Sequence, residues 1–522
     1  MGQLIHLALL TAIVINCESA NVLYVVPFTG PSHQIFLRPV GLELAARGHN
    51  VTVITARKEE EHQPTFRQVI SDDIKIWNLL NMEKPNVFTM VNLPAEQFHN
   101  MILWNGGAAY TEMALNSTTV QEFLKQDNTF DVVIVEQFYN EAFYILAHKY
   151  NAPLVLINTF GNCMKYNVLS RNPLELATTL SEFLFIKEPT SFWGRLRNWY
   201  FTVYEYVWWR FWYLNKQEAL VEKYLPDLPK PVPSLYELHK KVALLLSNSH
   251  YSLDGPKANQ PNIVEVGGLH LSKSSNKLPK DLQEIMDKSI HGVVYVNFGS
   301  NVQSSELPED KKQAFLNVFG KLKQTVLWKW EDDNLKNVPS NIVIRKWLPQ
   351  KELFAHPNIK VFISHGGLIG TQEATFHGVP IVGIPIYADQ YNNLLLVQER
   401  GYGKILEFND INENVLSNML NDILRDDTYK NNAKKASERF KDRPMTALDT
   451  AIYWIEYVIR HQGADFMKNP ALKLSLIEYL MLDVYTSIFV IVLVTVFVVF
   501  KILKLCFISK TSAAKLGPKK YD

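Results

Sequence analysis

The segment Phe362 to Gln390, FISHGGLIGTQEATFHGVPIVGIPIYADQ, gathers a His-Gly-Gly triplet, one glutamate, two aliphatic-proline steps and a closing Asp-Gln. Gly366 and Gly367 follow an apolar β-branched run, so a strand should break there at a sharp turn. The proline-free stretch Ile369 to His377 then reads as a helix. The first N–H groups of such a helix lack partners within it, which makes Gly366, Gly367 and Gly370 candidate donors to a phosphate, with His365 beside them. A second candidate is His33 in PFTGPSHQ, directly after the apolar run Val22 to Val26. A histidine at a loop-helix junction can act as a general base, although taken alone it is more often a cap or a packing residue. Glu373 and Asp389, taken singly, are equally ordinary as a solvated helix face and a helix cap.

These groups need a scaffold that brings strand ends together. In the first half, Val22 to Val26, Val51 to Ile54, Asp131 to Val135 and Leu154 to Ile157 read as buried strands, and Gln34 to Ala46 as a helix closed by Gly48. The second half repeats the style at Val293 to Asn297, Val326 to Trp330, Ile342 to Ile344, Lys360 to Ile363 and Ile381 to Ile384. Such alternation predicts an α/β protein with two Rossmann-like parallel-sheet domains. The expected division is a first domain over 21–270, a polar linker over 271–284, a second domain over 285–445, and helices over 446–483 that cross back towards the first.

The chain has 522 residues, 47% hydrophobic and 20% charged, with a net charge of +1. That balance gives ample core, and no basic cluster with interleaved aromatics points to nucleic acid. Residues 1–20 read as a secretory signal, an apolar run from Leu7 to Ile15 followed by small residues, although its start lacks Lys and Arg. From Val484 to Phe500 seventeen residues carry no charge, and the run extends over 484–503, enough for a transmembrane helix at about 20 residues per bilayer core. Six lysines between Lys501 and Lys520 make 504–522 a basic cytosolic tail and put the bulk of the chain on the luminal side. Cys17 and Cys506 fall in these end segments, so Cys163 alone remains and no disulfide within the luminal part is expected. Two sequons occur, at Asn50 inside an apolar strand, where the acceptor would be hidden, and at Asn116, the better sugar site. From Phe192 to Tyr213 twelve of twenty-two residues are Phe, Trp or Tyr, which reads first as a pocket wall or core helix and second as a surface segment docking at a membrane.

The Phe362 to Gln390 segment, preceded by WLPQKELFAHP from Trp347 and VNFGS from Val296, closely resembles the donor signature of the UDP-glycosyltransferase family. VEVGGLH at Val264 to His270 and the two end segments extend the resemblance over nearly the whole chain. The resemblance implies a GT-B fold, a UDP-sugar on the second domain, a small lipophilic acceptor mainly on the first, and no metal or other cofactor. It also implies roles. His365, the helix N–H groups and Ser300, ending a strand, would meet the diphosphate. Trp347 would face uracil, Gln350 the uracil edge or ribose, and Glu373 the ribose hydroxyls. Asp389 and Gln390 would bind sugar hydroxyls. His33 would take the acceptor proton, steadied by Glu136 where the family usually has Asp, with Asp131 as the nearby alternative. Ile369 stands where many members carry Asn, so one side-chain phosphate contact is missing.

Members that take UDP-glucuronic acid have an Arg that aligns here with Asn248, and an Asn offers a donor carboxylate no full charge. UDP-glucose is the expected donor, with Arg345 or Lys346 as the cations that would overturn this. Lys519 and Lys520 resemble a retrieval signal to the endoplasmic reticulum, which fits a membrane-anchored detoxification enzyme. A carrier or receptor for hydrophobic ligands that lost catalysis is the alternative, against which His33 and the full donor signature count. A dinucleotide oxidoreductase fails because Pro27 to His33 holds one glycine only. Self-association as a homo-oligomer is left open.

Overall fold

The computed structural model describes residues 19–515 apart from Glu61, Asn92, residues 162–163 and residues 272–276. The signal-like run up to Glu18, both Cys17 and Cys163, part of the linker, and the end of the tail with Lys519 and Lys520 lie outside the described residues. The chain divides into two compact units, the first closing at Lys468 and the second opening at Asn469.

The first unit carries two parallel sheets. One is built from β1 (Asn21–Val26), β2 (Asn50–Thr55), β3 (Phe66–Ile70), β4 (Val132–Glu136), β5 (Leu154–Asn158), β6 (Leu244–Ser247) and β7 (Ile263–Glu265), in the order β3-β2-β1-β4-β5-β6-β7. The other holds β8 (Val293–Asn297), β9 (Thr325–Lys329), β10 (Ile342–Arg345), β11 (Ile359–Ser364), β12 (Ile381–Gly383) and β13 (Gly403–Ile405), in the order β10-β9-β8-β11-β12-β13. Every neighbouring pair is parallel. Parallel strands are covered on both faces, which explains their unbroken apolar runs. Along β1, Val22, Tyr24 and Val26 enter one core while Leu23 and Val25 enter the core on the opposite face. In β8, Val294 and Val296 pack on one side, Val293 and Tyr295 on the other.

Both orders reverse direction at one place, between β1 and β4 and between β8 and β11. There the connections leave to opposite faces, and a crevice opens beyond the carboxyl ends of the strands. The expected strands all form, with ends shifted by a residue or so; β3, β6, β7 and β13 are additional. Helix Pro31–Ala46 begins earlier than Gln34, because Pro31 sits at its start where a fixed φ suits the helix and a missing N–H costs nothing. Helix Lys280–Lys288 starts within the expected linker. Helix Ala447–Arg460 buries Leu448, Ala451, Ile452 and Ile455 in the same core as Phe36, Leu37, Val40 and Leu44 of the Pro31–Ala46 helix, so the chain returns to the first sheet after completing the second.

The aromatic segment forms helix Phe192–Trp208, continued as a wider turn over Trp209–Tyr213. It is neither a core helix nor only a pocket wall. Phe201, Trp209 and Tyr213 are buried, whereas Trp193, Trp199 and Phe211 are exposed. In the second unit a capping box at Ser475 and Glu478 starts a short helix, after which helix Leu482–Lys515 follows. Its stretch Leu482–Leu505 has a mean hydropathy of 2.8 and no buried part, long and apolar enough to cross a bilayer.

Candidate active site

The first switch point holds His33 and Glu136. Glu136 is the last residue of β4 and wholly buried, and His33 lies in the first turn of the Pro31–Ala46 helix rather than at its junction with the loop. His33 Nδ1 bonds Glu136 Oε1. Thr159 Oγ1, just past β5, lies 3.0 Å from the same nitrogen. A buried carboxylate needs a donor, so the proton belongs on Nδ1 and the lone pair on Nε2. Asp131 is excluded as the partner: it stands before β4, where its Oδ2 accepts the Asn21 N–H at 2.7 Å at the opposite edge of the sheet. Rings of Phe28, Phe138 and Phe160 surround the imidazole at centroid distances of 4.4, 4.5 and 5.7 Å. Thr159 and these rings were not anticipated, although Thr159 and Phe160 follow β5 as Glu136 closes β4, the kind of position that joins the same edge.

The second switch point holds the donor-signature residues. Gly299 and Gly366 have φ of +90° and +87°, conformations that favour glycine. A Cβ on Gly299 would lie 2.7 Å from His365 Cε1, and one on Gly367 2.6 Å from His365 Nε2, so the imidazole is clamped between two bare backbones. Burial, with the nearby Lys329 ammonium, pushes His365 down to about 4 and keeps it neutral at physiological pH. Its Nδ1 is buried without a hydrogen-bond partner. Helix Leu368–Phe376 starts immediately after Gly367, leaving the N–H groups of Leu368, Ile369 and Gly370 in its first turn. Gly366 differs from expectation: its N–H donates to Ser364 Oγ at 3.1 Å, and its contribution is the turn itself. Ser300 lies in the turn three residues past β8 rather than at the strand end. Ile369 packs on the core of the first sheet, an apolar tie between the halves in place of a polar side chain.

Glu373 lies one turn further along that helix and is buried. Burial pushes its carboxyl up to about 7, against the pull of a hydrogen bond from Gln350. Gln350 is more committed than expected, since its Oε1 accepts from Tyr295 Oη at 3.0 Å and Asn297 Nδ2 at 2.7 Å while Nε2 donates to Glu373. It orients Glu373 and keeps one N–H. His270 Nε2 is 3.6 Å from Glu373 Oε1, but burial pushes His270 down to about 3, so at no pH are both charged and the contact is not an ion pair. Trp347 presents a ring that is 66% exposed.

Asp389 immediately precedes helix Gln390–Glu399 without capping it through its side chain; its Oδ2 accepts instead from the Asn393 amide at 2.8 Å. Burial raises it to about 6, opposed by the Asn393 amide and, more weakly, by His33 across the crevice. Gln390 Oε1 takes the N–H groups of Ile386 and Tyr387 at 2.8 and 3.1 Å, which leaves its Nε2 to donate. Asn248 is fully buried just past β6: Nδ2 donates to the Thr159 carbonyl at 2.8 Å and Oδ1 accepts from Gln372 at 2.9 Å. Arg345 and Lys346 are exposed and face Asp281 at 3.4 Å and Asp333 at 2.6 Å. Both sequon asparagines are exposed, Asn50 included, because it is the first residue of β2 rather than its interior. A cavity of about 1480 Å3 opens elsewhere, around Ala20, His49, Asp131 and Pro153 at the amino edge of the first sheet, and none of the donor-signature residues or His33 lines it.

Two parallel sheets, each with a switch-point crevice, define a GT-B glycosyltransferase. A solved UDP-glucose: anthocyanidin 3-O-glucosyltransferase in complex with UDP shares the fold, with a TM-score of 0.57 and 18% identity over 85% of this chain and 99% of that one. The family model "UDP-glucoronosyl and UDP-glucosyl transferase" matches residues 21–515, and the chain belongs to that family. UDP-glucosyltransferase 2 of Dactylopius coccus is 34% identical over 94% of this chain and 93% of its own length. Human UDP-glucuronosyltransferase 1A8 is 28% identical over 94% and 93%. The protein is an enzyme that transfers a sugar from a UDP-sugar.

Proposed function

We propose that the protein transfers glucose from UDP-glucose, with inversion, to a hydroxyl of a small lipophilic acceptor. The observation that carries the mechanism is the buried Glu136 bond to His33 Nδ1, which leaves Nε2 as the base among aromatic rings suited to an apolar acceptor. His33 withdraws the acceptor proton as the oxygen attacks the anomeric carbon opposite UDP, and Glu136 stabilises the imidazolium that forms. His365, Ser300 and the first-turn N–H groups take the diphosphate charge that develops on departure. Gly367 and Gly370 belong to this cradle, and no metal is then required. Trp347 stacks on uracil, Glu373 accepts from the ribose, and Asp389 with Gln390 hold the sugar.

Asn248 supports glucose. Its Oδ1 accepts from Gln372 and one of its two Nδ2 N–H groups donates to Thr159, so the position offers a carboxylate no charge and at most one N–H. Equal concentrations of UDP-glucose and UDP-glucuronic acid, with product mass read directly, test the donor: glucoside should predominate, and a predominance of glucuronide overturns the assignment. Asn248→Arg is a poor converse test, because it would break two buried hydrogen bonds before supplying a charge. We further place the catalytic unit in the lumen of the endoplasmic reticulum, supported by the signal-like start, the apolar helix Leu482–Leu505 and the basic residues after it.

A further inference from the structure

His33 Nδ1 is held from two sides, and only one of them is the carboxylate. Glu136 reaches it through Oε1 alone; Oε2 is buried with no hydrogen-bond partner among the described residues. A glutamate also has one more rotatable bond than the aspartate usual in the family, so a single contact leaves its end free to swing. The rings of Phe28, Phe138 and Phe160 confine the imidazole without choosing which way its nitrogens face. Thr159 supplies the second point. Its Oγ1 lies 3.0 Å from Nδ1, within reach of the same N–H that Glu136 accepts, and both partners are buried.

Thr159 is in turn tied down from the other sheet domain. It follows the last residue of β5, and its carbonyl accepts from Asn248 Nδ2 at 2.8 Å. Asn248 Oδ1 accepts from Gln372 Nε2 at 2.9 Å, and Gln372 Oε1 takes the Gly268 N–H at 3.2 Å, which fixes the direction of both amides. Asn248 and Gln372 are fully buried, so water does not compete for these bonds. Gln372 belongs to helix Leu368–Phe376, three residues after Ile369 and one before Glu373. An unbroken path through Asn248 and Thr159 therefore joins this helix to the nitrogen behind the base. We propose that Thr159 is a positioning residue for His33, and that Asn248 and Gln372 bind its place to that of the donor helix. The Nδ1 proton, shared between Glu136 and Thr159, keeps Nε2 turned towards the acceptor hydroxyl. The helix that receives the donor and the turn that aims the base thus form one rigid assembly, although they belong to different sheets.

The test uses steady-state kinetics and UDP titration of the full chain in microsomes. Thr159→Val keeps the shape and removes the hydroxyl, so kcat should fall about tenfold or more, with donor KM and UDP affinity within about twofold of the parent. Thr159→Ser restores the oxygen and should recover at least about half of the parent kcat. A valine enzyme with parent turnover, a serine enzyme as slow as the valine one, or a loss confined to donor KM would each overturn the role, the last by making Thr159 a direct sugar contact. Gln372→Met cuts the far end of the path. It should lower kcat about threefold or more, yet add little further loss in the Thr159→Val background, because two cuts in one path are not independent. Full multiplication of the two losses, or an unchanged kcat in Gln372→Met, would overturn the link to the donor helix. Gln372→Met leaves Thr159 intact, so it decides the matter even if the valine variant fails to bind UDP. The inference rests on His33 being the base: an inactive His33→Ala beside a fully active Thr159→Val would overturn the positioning role alone, whereas an active His33→Ala would remove the base as well.

Discussion

At the level of single residues, the proposed mechanism divides the work between His33 as base and Glu136 behind it. His33→Ala removes the proposed base and should lower turnover on the order of 10²- to 10⁴-fold while UDP binding persists, measured by steady-state rates beside UDP titration. Glu136→Gln keeps a hydrogen-bond acceptor but removes the charge that favours the imidazolium, so kcat should fall about 10²-fold or more with the donor KM little changed. A Glu136→Gln enzyme with full turnover would reduce the pair to a packing feature. His33 and Glu136 were legible in the sequence because the motif after the first strand and the end of the fourth carry family character. Thr159 was not, since it lies 126 residues from His33 and only the order of β1, β4 and β5 brings them together. Gln350 was placed but misjudged: its tie to Tyr295 and Asn297 depends on strand register, which no local pattern encodes.

Among elements, the helix Leu368–Phe376 combines a phosphate-ready start with a buried carboxyl one turn on. Glu373 is held near 7 in the fold against an ordinary 4.5, so the native protein keeps a proton that the unfolded chain releases between those values. Its contribution is therefore full below about pH 4.5 and lost as pH rises through 7, at a cost on the order of 3 kcal/mol for a wholly buried group. Glu373→Gln should raise the apparent Tm relative to the parent more at pH 8 than at pH 5, and should weaken UDP-sugar binding at both. An equal effect on Tm at the two pH values would show that burial of the charge is not the cause. The parallel strands rich in Val and Ile were legible as elements. Leu244–Ser247 was not, because a leucine run fits helix and strand alike, and Ile263–Glu265 and Gly403–Ile405 are too short to establish any period. The aromatic helix was legible as an element but not in its orientation, which tertiary packing alone decides.

For the molecule as a whole, topology can be read from sugar attachment. Asn116 and Asn50 are exposed at an element end and an element start, so a luminal unit should receive glycan at Asn116. An endoglycosidase-sensitive mass shift should vanish or shrink in Asn116→Gln, and absence of glycan on the unsubstituted protein would argue against a luminal catalytic unit. The return of helix Ala447–Arg460 to the first sheet has a different consequence, for how the gene can be cut. A fragment ending at Lys288 contains every strand of the first sheet, yet Phe36, Leu37, Val40 and Leu44 would lose the apolar cover that Leu448, Ala451, Ile452 and Ile455 provide. Such a fragment should aggregate, and supplying residues 446–468 as a fused segment should restore solubility, scored by gel filtration. Exchange of acceptor halves between relatives is therefore a three-piece operation: a chimera joined once in the linker inherits a foreign strap across its back.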